Sequence, residues 1–521
     1  MTPPAPPGDR LPDGFTVRLA PGTRRRDGGA ALLGGSPVRL LRLAPAARPL
    51  LAGDRLTVTD ARTAALAARL LDTGVADPDI APAPHPEVTV VVPVRDRTDG
   101  LVRLLTALRA DPTTADVPIL VVDDGSAEPA EVAAAARVGG AGLVRHSRAR
   151  GPAAARNAGL RAAGTELVAF LDSDCVPSPG WLARLAGHLT DPRLALVAPR
   201  ITALPPSHQR RTPGGDRQRR ASGGHQRRAF GGYQRRAFGG YQRCAFGGWV
   251  GRYEACSSAL DMGPAAARVA PLTAVSYVPS AALLARRTAL GAGFDETMQV
   301  AEDVDLVWRL VGAGWRVRYE PAASVAHDHR VELVDWLRRR AFYGTGAALL
   351  AQRHGPAVAP VVLPRWAAAA WVLALTGRPL GLLTATGVLG GATVRLSGRL
   401  PLSGGRPPIM LATGLVLRGT ATSGRMLARA VTRHHWPLAV GAALGSRRAR
   451  RLVVAIAVVD AVGGWWPHRR EIGLPAFAAG RRLEDLAYGA GLWAGALQAR
   501  DLRSLLPVAP PPVAAPPQPM R

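Results

Sequence analysis

The chain has 521 residues, of which 47% are hydrophobic and 20% charged; that is enough to bury a large core in about two to four domains of roughly 100–200 residues each. The formal net charge is +28 and every one of the 66 basic residues is Arg, a compositional bias rather than a footprint for a polyanion, and 5% aromatic residues argue against a stacking platform for single-stranded nucleic acid. Three Cys, at 175, 244 and 256, are too few and too unevenly spaced for a disulfide framework or a zinc site, which suits a reducing compartment.

The first residues, Met1-Thr-Pro-Pro-Ala-Pro-Pro, form a tail (1–13) with neither a basic n-region nor an apolar h-region, so the expected location is the cytosol. Residues 14–80 form a small unit. It opens on the alternating, strand-like Phe15-Thr-Val-Arg-Leu, continues with helical spacing at 37–43, and ends in a second helical run from Thr59, with Thr59 or Asp60 as its cap. This order is that of a winged-helix-like module, suited to gripping a peptide or partner or to packing alone. The Pro-rich stretch 81–87 is a stiff linker.

From residue 88 to 345 apolar strands alternate with Ala-rich helices, the pattern of a doubly wound, mostly parallel α/β sheet. The expected strands are Val88 to Val94, Ile119 to Val122, Gly142 to Arg145 and Glu166 to Leu171, with helices at 101–110, 129–137 and 153–163 between them. Four Arg-rich octads at 217–248, within an insertion at 205–248, read as a low-complexity expansion. Residues 346–506 are Ala-, Leu- and Val-rich, and Pro379 to Val394 carries no charge. Sixteen such residues fall short of the roughly 20 needed to span a bilayer. An apolar helical region, packed or lying on a membrane surface, is expected there, before a Pro-rich tail at 507–521.

Chemistry concentrates at the strand ends. Asp172-Ser173-Asp174 ends a buried apolar strand, and two Asp one residue apart can hold a hard divalent cation against a diphosphate. Val91-Val-Pro-Val-Arg-Asp opens the sheet, and Val121-Val-Asp-Asp-Gly-Ser places Asp123 and Asp124 before a Gly that lets the backbone turn close to a ligand. Gly151-Pro-Ala-Ala-Ala-Arg-Asn-Ala-Gly starts a helix whose free N–H groups favour an anion, with Arg156 adding a charge-assisted contact. Further on, Glu302 and Asp303 sit at the start of an amphipathic helix, where their plain role would be to stabilise its N-terminus.

The order V-P-V, V-D-D-G-S, A-R-N-x-G, D-S-D within about 85 residues is a combination of motifs rather than a lone one, and it resembles the family 2 glycosyltransferases of GT-A fold. The resemblance implies a nucleotide-sugar donor, a divalent cation (Mn2+ or Mg2+) and inversion at the anomeric carbon by single displacement. By position, Pro93, Arg95, Asp123 and Asp124 line the nucleotide pocket, Arg156 and Asn157 steady the nucleotide, and Asp172 and Asp174 contact ribose and metal, with Asp174 the direct ligand. His327 is implied as a further ligand, and Asp303, then Glu302, as the base. Ala301 stands where relatives often have Gly. Together with Val275-Ser-Tyr-Val-Pro-Ser and Ala301-Glu-Asp-Val-Asp-Leu-Val-Trp-Arg-Leu, the chain is similar to the glycosyltransferases of the mycofactocin system. These act on a peptide-derived small molecule, here with glucose from UDP-glucose, in one or several transfers. Alternatives are a lipid or cell-envelope glycan acceptor, nucleotidyl transfer on a related sheet, and a nucleic-acid or membrane-binding protein driven by the Arg-rich octads.

Overall fold

The computed structural model describes residues 2–51, 53–83, 87–205, 248–400 and 408–510. The octads up to residue 247, residues 84–86 of the linker and the tail from 511 lie outside the described residues.

A nine-stranded sheet forms the centre, in the order Cys175–Pro177, Arg316–His327, Leu194–Ala203, Ala282–Arg286, Leu167–Leu171, Val88–Val94, Ile119–Asp124, Gly142–His146, with Ala267–Arg268 pairing to the long strand Arg316–His327. The period of two assigns its residues to two cores. Val88, Val90, Val92 and Val94 enter one and Val91 the other, while Leu167, Ala169 and Leu171 oppose Val168 and Phe170 in the same way. Both faces are thus buried under helices, as the apolar runs require, and the architecture is the GT-A fold. The expected strands and helices stand within one to three residues of their expected ends. Strand Ala282–Arg286 was not foreseen; it runs antiparallel to both its neighbours, between the parallel pairs on either side of it.

The chain steps outward from Val88–Val94 to Ile119–Asp124 and Gly142–His146, then returns to lay Leu167–Leu171 on the other side of Val88–Val94. The sheet therefore changes direction between these two central strands, and a crevice opens beyond their carboxyl ends.

In the N-terminal unit, two three-stranded antiparallel sheets pack with one α-helix, Ala61–Thr73. Asp60 caps this helix, accepting from the Thr63 N–H at 2.7 Å while its own N–H donates to Thr63 Oγ1 at 2.9 Å. The helical turn expected at 37–43 is corrected to strand: Arg39–Arg42 pairs antiparallel with Ala31–Gly34, Leu40 opposite Leu33 and Leu41 opposite Leu32. Cross-strand apolar pairing there overrides the local helical spacing. The unit docks on the central sheet through Arg316, which donates to Asp72 at 2.7 Å and to Asp191 at 2.9 Å, and through the Arg318–Asp77 pair.

The C-terminal region is helical, and its first helix, Leu333–His354, runs unbroken across position 345, out of the catalytic half. It packs along Leu474–Gln498. At that seam Arg340 is buried between Glu254 and Glu484, and Arg433 and Arg429 extend the network to Glu484 and Asp485. Removing one partner of such a network strands the others without a counter-charge. Arg340→Leu is expected to lower stability by about 3–5 kcal/mol, read as a lowered urea midpoint; an unchanged midpoint would show the network to be dispensable.

Candidate active site

A cavity of about 1490 Å³ occupies the crevice. Pro93, Arg95, Asp124, Arg156, Asp172, Asp174, Glu302, Asp303 and His327 all line it, so early and late acids meet in one space. Asp172 and Asp174 arrive on the turn after Leu167–Leu171, where the Cys175 N–H donates to the Asp172 carbonyl at 3.0 Å. Cys175–Pro177 then pairs antiparallel with the end of the long strand, setting His327 opposite Cys175. That register is what brings a histidine from far along the chain to Asp174.

Asp172, Asp174 and His327 each offer a ligand atom, all within 4.8 Å of one another. Asp174 Oδ1 is buried without a hydrogen-bond donor and lies 3.3 Å from His327 Nε2. Two carboxylates, an imidazole and an orphaned buried oxygen suit a divalent cation such as Mn2+ or Mg2+. Asp174 Oδ2 accepts from Arg97 at 2.6 Å, a contact given no role from sequence.

Arg156 is 4% exposed and spans the site, donating to Asp172 at 2.6 Å and to Glu302 at 3.1 Å. Glu302 and Asp303 begin the helix Glu302–Gly312 after Ala301, which takes a left-handed conformation (φ 61°). An alanine there carries backbone strain of about 1–2 kcal/mol that a glycine would not. Asp303 accepts from the backbone N–H of Val304 at 2.8 Å and of Ser280 at 3.2 Å. Burial, then the charge of Asp303, pushes the Glu302 carboxyl up to about 7 against the pull of Arg156, and burial raises Asp303 too. Asp305, which shares the acidic run, is instead consumed by Arg309 at 2.7 Å and His354 at 3.0 Å.

Two expected nucleotide residues have other partners. Asp123 is fully buried, accepting from the Ser126 N–H at 2.9 Å and Arg145 at 3.2 Å, and does not line the cavity. Its neighbour Asp124 does, held by His146 and the N–H groups of Arg150 and Gly151 at 2.7–2.9 Å. Gly125 at φ 74° permits this turn, since a Cβ would collide with the backbone of Arg148 and Ala149. Asn157 faces away from the cavity: it donates to the Phe294 carbonyl at 2.8 Å and accepts from the Phe294 N–H at 2.9 Å, so it fixes the loop leading to Glu302.

A GT-A sheet with a metal-type triad and a separate pair of adjacent acids in one cavity defines a glycosyltransferase. The family model for glycosyl transferase family 2 matches residues 89–258. Over 515 residues the chain is 44% identical to the pre-mycofactocin glycosyltransferase of Mycobacterium tuberculosis (strain H37Rv), covering 96% of this chain and 98% of that one. The chain belongs to the family 2 glycosyltransferases. The succinoglycan biosynthesis protein ExoU of Rhizobium meliloti (strain 1021) is 34% identical over 102 residues, 19% of this chain and 29% of that protein. Among solved structures, a mannosyltransferase from Pyrobaculum calidifontis in complex with GDP-Man and Mn2+ is similar at 20% identity and a TM-score of 0.36, covering 75% of this chain and 90% of that chain.

Because burial holds the Asp303 carboxyl above its ordinary range, a step that needs it ionised gains rate as pH rises above the usual carboxylate range. The same shift, shared by Glu302, makes the folded state bind protons more tightly than the unfolded chain, so this pair favours folding below about 4.5 and progressively less up to about 7. Glu302→Gln removes the neighbouring charge and should move the acid limb of the pH–rate profile downward; an unmoved limb would separate the two acids.

Proposed function

We propose that the enzyme transfers a hexose, glucose from UDP-glucose, onto pre-mycofactocin or a related peptide-derived small molecule, with inversion by single displacement and in one or several successive transfers. The observation carrying this reading is the placement of Asp172, Asp174 and His327 in the same cavity as the Glu302–Asp303 pair. The name and full-length similarity of the mycobacterial relative support the acceptor.

On this reading Asp174, Asp172 and His327 hold the divalent cation, whose positive charge stabilises the departing diphosphate. Pro93, Arg95 and Asp124 bound the nucleotide. Arg97 and Arg330 lie near Asp174 and add positive charge for the leaving group. Asp303 takes the proton of the acceptor hydroxyl as its oxygen attacks the anomeric carbon from the face opposite the diphosphate, which sets the inverted product. Glu302 acts through Arg156, keeping Asp172 and the base loop in register.

These roles separate experimentally. Asp174→Ala should abolish metal-supported UDP binding together with transfer. Asp303→Asn should lower transfer by about 10²–10⁴-fold while UDP still binds, as measured by titration calorimetry. Equal loss of UDP binding in both variants would contradict the assignment.

We further propose that the enzyme works in the cytoplasm with peripheral contact to the inner membrane face. Helix Trp436–Gly445 buries none of its residues, and Leu380, Leu383, Leu444 and Val459 are 68–81% exposed. Arg447, Arg448, Arg450 and Arg451 lead the next helix, Arg447–Trp465. An apolar surface edged by arginines suits interfacial binding to anionic lipid. Among the described residues one helix, Pro379–Ser397, is long and apolar enough to cross a membrane. Vesicles containing phosphatidylglycerol should retain the protein on flotation, whereas Leu383→Glu with Leu444→Glu should not be retained; equal flotation would remove this surface from the argument.

A further inference from the structure

The cavity is larger than the donor needs. Ligand pockets commonly enclose about 300–1,000 Å³, whereas this one holds about 1490 Å³ and continues past Asp303 to the N-terminal turn at Ser36 and Pro37 and to the C-terminal helices at Met426 and Tyr488. Its far wall has a distinctive composition. Tyr253, Tyr277, Tyr319, Tyr343 and Tyr488 are the tyrosines among the described residues, and three of them, Tyr277, Tyr343 and Tyr488, line this one space. They come from a loop, from helix Leu333–His354 and from helix Leu474–Gln498.

Backbone contact between the two helices explains how two of them reach the same wall. A Cβ on Gly344 would collide with the Tyr488 carbonyl, and one on Gly491 with the Ala341 carbonyl. The helices therefore meet at these glycines, and the adjacent Tyr343 and Tyr488 turn into the cavity. Tyr277 completes the group: the ionisable side chains acting most on its hydroxyl are Asp303, Tyr488, Arg433 and Tyr343, and the hydroxyl reaches the Ala259 carbonyl at 3.5 Å. Cations sit on two of these rings: Arg433 lies 3.8 Å from the Tyr488 centroid and is paired with Glu484 at 3.3 Å and Asp485 at 3.4 Å, and Arg339 lies 4.7 Å from the Tyr343 centroid.

Resting on the reading of Asp303 as the base, we propose that Tyr277, Tyr343 and Tyr488 form the acceptor subsite, and that it takes a hydroxyl-bearing ring compound. Aromatic faces hold a ring by stacking, and phenolic hydroxyls exchange hydrogen bonds with a ring alcohol without contributing charge. Tyr277, beside Asp303, orients the reacting hydroxyl. A sugar ring already attached fits the same description, which would let a glycosylated product re-enter.

The test is titration calorimetry on the full chain with UDP and Mg2+ present and pre-mycofactocin as the probe. Tyr343→Ala and Tyr488→Ala should each weaken acceptor binding about tenfold or more while UDP affinity stays within about twofold; Tyr343→Phe and Tyr488→Phe, which keep the ring, should stay within about threefold of the parent. A purely structural role would lower UDP affinity and the unfolding midpoint together. Alanine variants that bind pre-mycofactocin as the parent does overturn the subsite while leaving the acceptor assignment standing. Failure of the parent to bind pre-mycofactocin removes that assignment, and phenyl β-D-glucoside then serves as the ring probe: the same tenfold loss supports the subsite, and unchanged binding, or none by the parent, overturns it.

Discussion

One buried guanidinium holds the site together. Arg156 reaches Asp172 on one side and Glu302 on the other, and at 4% exposure the guanidinium has no water as an alternative to these two carboxylates. Removing a partner from such an arrangement costs about 3–5 kcal/mol, because a charge remains buried without compensation. The geometry of donor and base is thus a single electrostatic unit. Glu302 titrates high despite its arginine because burial, and then the charge of Asp303, outweigh the pull of Arg156, which is shared with Asp172.

Arg156 can bridge these acids because of where the sheet reverses. Its helix, Pro152–Ala162, follows the outermost strand of one wing and leads back to the strand ending at Asp172. The helix therefore crosses the crevice between the two central strands, and its first turn lies against the donor site. The long strand Arg316–His327, parallel to Leu194–Ala203 and antiparallel to Cys175–Pro177, then adds His327 beside Asp174. Parallel strands supply the donor acids, and an antiparallel edge supplies the third ligand.

Much of this was legible in the chain because the donor half is built from local signals. The strand ending in Asp172-Ser173-Asp174, the Asp123-Asp124-Gly125 turn and the helix start at Gly151 are each contiguous, and strand periodicity alone places them on one edge. What sequence could not resolve was which of two adjacent residues faces the ligand. Asp123 and Asp124 differ by one position on a strand, which sends their side chains to opposite faces, and only pairing register decides between them. Asn157 follows the same logic, one residue past Arg156 and turned toward Phe294 rather than the cavity. Arg97 carried no motif, and its contact with Asp174 exists only because the first and fourth strands of the central domain lie side by side. The strand at 39–42 shows the converse, a local pattern overruled by apolar partners across a hairpin.

The acceptor half obeys a different constraint. Its residues come from the loop before Ala282–Arg286, from two long helices whose sequence separation exceeds a hundred residues, and from the turn of the N-terminal unit, where Ser36 Oγ accepts from the Ala274 N–H at 2.7 Å. No contiguous motif encodes such a wall. It depends on helix contact at Gly344 and Gly491 and on the buried ions Arg340, Glu254, Glu484 and Arg433 that fix the same seam. Hydrophobic packing alone would tolerate sliding of one helix on the other, whereas paired buried charges favour one register over its neighbours. The C-terminal region thus contributes Tyr343 and Tyr488 to the cavity that also holds Asp303, and on the proposed reading these rings place the acceptor hydroxyl.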